Sequence, residues 1–399
     1  VTADQQSFTA QGTITDLFGA CQADLNGQAT YDLAHLLERA RPFVGNSIQA
    51  IGKDTQSFAL KGSLRRADSA SSTSNAPVVQ ESQPLISPAL TGHGGLSWAA
   101  ANLLGVTVGG GKIQPRLDNG TIETGLIEFR LSDGQFRLVP HFYLNQRPPS
   151  MTIDPGLVLE SVEISEDMCA GWLKFVAPIA AETTRANGKF SLVLESTTVP
   201  LLSPADAQVR GELQIQHAVM GPGPLADSLV QAIVTVESMV RASSSVNASR
   251  PNQDHFNAIT NLIGQAAGVP GLQTPQYQGK DATPPYQLNI PEQYVPFRVE
   301  GRRIFHDQFH VVVGNVKVVT SGPVGMDQSL QMVAYVPVLR QWVQDERVWK
   351  VMEGKALEIP IAGTIRSPRI DTKRVEHSLR RLAGELLLGP GGLHQFLRQ

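Results

Sequence analysis

The chain has 399 residues, 41% of them hydrophobic, which is enough to bury a core and excludes wholesale disorder. Its 33 basic and 36 acidic residues nearly cancel, leaving a net charge of −3 and none of the concentrated basic character that nucleic-acid binding needs. No run of apolar residues is long enough for a membrane-spanning helix, and the start Val1-Thr-Ala-Asp-Gln-Gln is unlike a signal peptide. Any export signal or anchor is therefore expected upstream of this segment.

The first piece, 1–68, reads strand, strand, helix, strand. Phe8–Ile14 and Ala20–Ala29 are strands. Asp32 caps a helix carrying Leu33, Leu36, Leu37 and Ala40, which Pro42 is expected to end or kink near Arg41. Phe58–Leu64 is again a strand. Residues 69–88 are rich in Ser, Pro and Gln and read as a linker or exposed loop. The stretch 89–223 is strand-rich. Phe190, Leu192 and Leu194 alternate on one face, and Asp133-Gly134 marks a hairpin. Gly171–Ala186 is expected to be helical, with Pro178 starting a new turn or kinking the old one.

Between 224 and 268 the period lengthens, predicting two helices: one through Leu225, Leu229, Ile233, Val236 and Val240, the next through Phe256, Ile259, Leu262, Ile263 and Ala266. Residues 269–296 read as an extended loop. Strands return over 297–371, interrupted by a helix at Gln341–Met352, and 372–399 form a C-terminal amphipathic helix and tail. The fold class is mainly β (α+β), with long curved antiparallel sheets and a few amphipathic helices packed on them.

One strand pattern recurs, apolar-x-x-x-Gly-small-apolar. It appears as Phe8…Gly12-Thr-Ile14, Phe58…Gly62-Ser-Leu64, Val318…Gly322-Pro-Val324 and Ile359…Gly363-Thr-Ile365. Glycine inside a strand marks a bulge or a bend. A looser duplication sets Phe129-Arg-Leu through Leu194 beside Phe297-Arg-Val through Ile365.

Signs of catalysis are weak. Gly109-Gly-Gly-Lys112 lacks the first glycine and the final Ser or Thr of a phosphate loop. His306 and His310 are expected on one side of a strand with Asp307 on the other, without the further ligands a metal needs. Cys21 and Cys169 either pair or stay free. No cofactor is expected, and the chain is read as non-enzymatic.

The C-terminal stretch resembles the C-terminal region of AsmA-like proteins of the bacterial envelope. The resemblance rests on Gly314-Asn-Val-Lys-Val-Val-Thr-Ser-Gly322-Pro-Val-Gly-Met-Asp327, Leu330-Gln-Met-Val-Ala-Tyr-Val-Pro337 and Ile359-Pro-Ile-Ala-Gly363-Thr-Ile-Arg-Ser-Pro368-Arg-Ile-Asp371, in that order. Asp24-Leu-Asn-Gly27 and Phe58-Ala-Leu-Lys-Gly62 look like strand pieces of the same kind of protein. The resemblance implies a long curled sheet with an apolar inner surface, a periplasmic or envelope location, and a role in moving phospholipid or in outer-membrane biogenesis. Phospholipid or another acyl lipid, and envelope proteins, are the partners it implies. The expected groove lining is Phe190, Leu192, Leu194, Leu330, Met332 and Val336. A structural or protein-binding β-sandwich without ligand is the alternative.

Overall fold

The computed structural model describes residues 2–3, 6–44, 48–64, 86–103, 106–131, 133–183, 185–221, 223–245, 287–343, 346–371, 374, 375 and 378. The fold is mainly β, with long antiparallel pairings and few helices. Two compact units divide the chain. Val1–Glu163, Lys189–Gln214 and Arg298–Arg302 form the first; Ile164–Gly188, Ile215–Phe297 and Arg303–Gln399 form the second.

In the first unit, strands β1 (Gln6–Thr15), β2 (Gln22–Asp32) and β3 (Lys53–Ser63) pair antiparallel over nearly their whole lengths. Pairing then continues through β4 (Thr91–His93), β5 (Arg116–Asp118), β6 (Thr121–Glu123), β7 (Pro140–Tyr143) and β8 (Ser150–Ile153) to β9 (Ala186–Pro200). Asp32 caps the helix Leu33–Val44 as expected, its Oδ1 accepting the Ala34 N–H at 3.1 Å. That helix runs past Pro42 to Val44, because a proline in the last turn removes only one hydrogen bond where the helix is already losing partners. Strands Ile127–Leu131 and Gly134–Leu138 form the hairpin expected around Asp133.

The second unit is a meander. Arg303–Val313, Val316–Gly325, Met332–Pro337, Ala356–Gly363 and Pro368–Ile370 pair in sequence order. Its inward residues include Phe309, Val311, Val318, Ala334, Val336 and Ile359, all buried. Helices supply cover: Leu173–Val176 packs on the first two strands, and Pro224–Ser245 lies against Pro368–Ile370. The expected helix over Gly171–Ala186 is instead broken. Glu166–Ala170 and Leu173–Val176 are short α-helices, Pro178 opens a 3-10 turn, and strand begins at Ala186. The expected loop 269–296 ends in strands Leu288–Ile290 and Gln293–Glu300. The helix through Phe256–Ala266, most of the linker 69–88 and nearly all of the C-terminal helix lie outside the described residues.

The recurring glycines all take positive φ. Gly12, Gly62, Gly322 and Gly363 have φ of 147°, 119°, 129° and 87°. A Cβ on Gly12 or Gly62 would lie 1.9 Å from the carbonyl oxygen of Asp24 or Ala89, so both backbone angle and neighbour require glycine. A second device also occurs twice. Ser161 (φ 53°) and Gln308 (φ 51°) each sit in a β-bulge, and the N–H of each donates at 3.0 Å to a serine hydroxyl on the next strand, Ser191 or Ser321.

Candidate functional site

Residues directly opposite in paired strands project to the same face, and their chain neighbours project to the other. Followed strand to strand, the register of the first unit gives Gly12, Leu25, Leu60, Gly92, Leu117, Ile122, Phe142, Met151 and Val199. The neighbouring register gives Gln11, Asn26, Ala59, His93, Arg116, Glu123, His141, Thr152 and Thr198. One face of this nine-stranded sheet is therefore apolar across its width and the other is polar.

The apolar row is not a packed core. Leu25, Leu60, Leu117, Ile122, Phe142, Met151 and Val199 are all half-buried. Along β1 to β3 the same face adds Phe8, Ile14 and Phe58, of which Phe8 is 49% exposed and Ile14 44%. The Phe58 ring lies over Gly27, where a Cβ would come within 2.9 Å of it. A shorter apolar row, Phe129, Phe136, Leu159 and Leu192, is also half-buried, with the two phenylalanine rings stacked at 4.4 Å.

The apolar face has a polar end. Tyr31 and Asp54 are opposite each other, six residues along from Leu25 and Leu60. The Tyr31 hydroxyl accepts the Ser97 N–H at 2.6 Å, the Ser97 hydroxyl donates to Asp54, and Gln56 donates to the same carboxylate. These bonds, the one from Ser97 first and then those from Gln56 and the Thr55 N–H, hold the Asp54 carboxyl below its ordinary value. A carboxylate thus closes one end of the apolar face, pinning the strand Leu96–Trp98 there.

The expected groove residues are distributed differently. Phe190 and Leu194 are buried in the first unit, and Leu330, Met332 and Val336 are buried in the second. Leu192 alone is half-buried. The five buried side chains belong to the core and do not line an open groove. His306 and His310 also part company. The bulge at Asp307 and Gln308 puts His306 in the core, 2% exposed, while His310 turns outward with Asp307. Burial lowers the His306 pKa to about 4 against the weaker pull of Asp307.

The outward side of that strand forms a cleft of about 550 Å³ lined by Glu292, Tyr294, Asp307, His310 and Lys317 among others. The Gln293 amide bonds both backbone groups of His310, at 2.7 and 2.8 Å, and fills the register there like a strand. Cys21 and Cys169 are both free thiols, and burial, then Glu166, pushes the Cys169 thiol up to about 12, far from a nucleophile's range. Among the described residues no three His, Cys, Asp or Glu side chains converge as metal ligands do, and no helix is long and apolar enough to cross a membrane.

The chain matches no protein-family model, no curated protein and no solved structure.

Proposed function

We propose that the apolar face of the first unit binds acyl chains, and that this chain is a non-enzymatic, AsmA-like segment of a cell-envelope protein that carries lipid between membranes. The observation that carries the reading is the row from Leu25 to Val199, apolar on every strand it crosses and buried on none. Monomeric proteins rarely leave contiguous apolar surface open unless something binds it. Nine strands at ~4.8 Å spacing span roughly 38 Å, longer than the ~15 Å of an acyl chain in one leaflet. Each Å² of such a chain taken from water is worth about 25 cal/mol, so the face needs no catalytic group to hold lipid. A structural or protein-binding role without ligand is the second reading, and the closed, helix-covered core of the second unit favours it for that unit.

The test is a fluorescent phospholipid titrated into the purified chain, with lipid extraction and mass spectrometry alongside. Leu117→Asp and Ile122→Asp set a charge in mid-row on half-buried positions and are expected to weaken probe binding at least tenfold. Full binding by both variants, or none by the wild type, overturns the reading.

A further inference from the structure

The apolar face has a second end, opposite Tyr31 and Asp54, where β1 turns into β2. The turn Asp16–Cys21 carries Leu17, 57% exposed, and Phe18, 96% exposed. Ile14 and Leu64, 44% and 40% exposed, lie beside it in the register of the apolar face, and the Leu64 N–H donates to the Cys21 carbonyl at 3.0 Å.

The turn is built to hold this shape. The Asp16 carbonyl accepts the N–H groups of Gly19 and Cys21 at 3.1 and 2.9 Å. Its carboxylate accepts those of Gly19 and Ala20 at 3.1 and 2.7 Å. Asp16 and Cys21 both take positive φ, 52° and 50°, and a Cβ on Gly19 would strike the Asp16 carboxylate at 2.3 Å. The only charge between Ile14 and Ala23 is therefore Asp16, and both of its oxygens already face backbone N–H groups.

We propose that this hairpin tip inserts Leu17 and Phe18 into the interface of a lipid bilayer, and that it is the end at which acyl chains pass onto the apolar face. The passage rests on the acyl-binding reading above; the insertion does not. Area argues against a protein as occupant. A phenylalanine buries on the order of 200 Å², and a stable protein interface needs ~1,200 Å² or more. A bilayer sets no such threshold, and an aromatic ring suits the headgroup boundary. Charge selects the kind of surface. Among the described residues of the turn, Asp16–Cys21, there is no cation, so the segment that inserts is apolar and a zwitterionic membrane suffices.

The experiment is flotation of the full chain with phosphatidylcholine vesicles. The wild type is expected to float, equally at low and high salt. Phe18→Ser is expected to lower the partition coefficient about tenfold, and Leu17→Ser with Phe18→Ser to abolish flotation. Leu202→Ser, at a leucine 62% exposed elsewhere in the unit, is expected to float like the wild type. A double variant that floats undiminished overturns the proposal, as does flotation lost in high salt or equally lost with Leu202→Ser. The soluble acyl-probe titration separates the two readings. The tip variants should bind the probe normally, and Leu117→Asp should lose the probe yet still float. A chain that floats by its tip but binds no probe leaves the insertion standing and removes the acyl-binding reading.

Discussion

At the scale of single residues, His306 shows how one bulge redirects chemistry. A regular strand would have put His306 beside His310 on one face. The extra residue at Asp307–Gln308 reverses the parity, and the imidazole enters a site where Thr320 Oγ1, 3.3 Å from Nε2, is its hydrogen-bond partner and Nδ1 has none. Phe309 packs edge-on against the ring. The folded state therefore holds this histidine neutral, with a pKa of about 4 against 6.5 in the unfolded chain. Above pH 6.5 both states are neutral and nothing is lost. Between 6.5 and 4 the unfolded chain takes up a proton that the folded chain refuses, so stability falls with falling pH, by about 3 kcal/mol over the window. The carboxyls of Asp54, Asp206 and Asp327, held below 3.8, act only at more acid pH. Denaturant unfolding at pH 7, 5.5 and 4.5 should show this loss in the wild type, and His306→Gln, which keeps a donor for Thr320, should flatten it. Equal slopes in both proteins would assign the acid sensitivity elsewhere.

At the scale of elements, the strands depend on their glycines to different degrees. Gly62→Ala sets a methyl 1.9 Å from the Ala89 carbonyl oxygen at a φ of 119°, and is expected to cost about 2–4 kcal/mol in unfolding free energy. Gly109 has open space around it and an ordinary backbone, so Gly109→Ala should be neutral or stabilise by up to about 1 kcal/mol. Similar losses at both positions would show that neither the space around the glycine nor its backbone angle sets the cost. The need for glycine at these positions was legible in the sequence because glycine at a fixed place after alternating apolar residues has few other uses. The open face was not. Alternation reports that one side of a strand leaves water, and Phe190, Met332 and Val336 alternate as cleanly as Leu25 and Leu60 do. Which side finds cover depends on helices and strands far away in sequence. The middle of the apolar row also lies on β4, β5 and β6, each three residues long, too short for any periodicity to register. His306 was misplaced for a related reason, since no residue type announces the bulge that turns it inward.

At the scale of the whole molecule, the two units differ in how they are stabilised. Most of the buried apolar side chains among the described residues belong to the second unit, where Phe309, Val318, Ala334, Val336, Leu357 and Ile359 are fully enclosed. In the first unit the strands β1 to β3 make long pairings, but eight successive residues of β1, from Phe8 to Thr15, are exposed. Opening free energy follows local burial, so the amides of β1 to β3 should exchange with deuterium well before those of Val316–Gly325 and Met332–Pro337. Lipid gives the same measurement a second use. A ligand stabilises only the state that binds it, by RT ln(1 + [L]/Kd), about 2.7 kcal/mol at a hundredfold excess over Kd. Acyl lipid on the apolar face should therefore slow exchange about a hundredfold across β1 to β8, where opening dismantles the face, and leave the second unit's strands unchanged. A partner that merely lay along β1 would protect that strand and little beyond β2. Protection that spreads as far as β7 and β8, where Phe142 and Met151 sit, requires a ligand lying across the row.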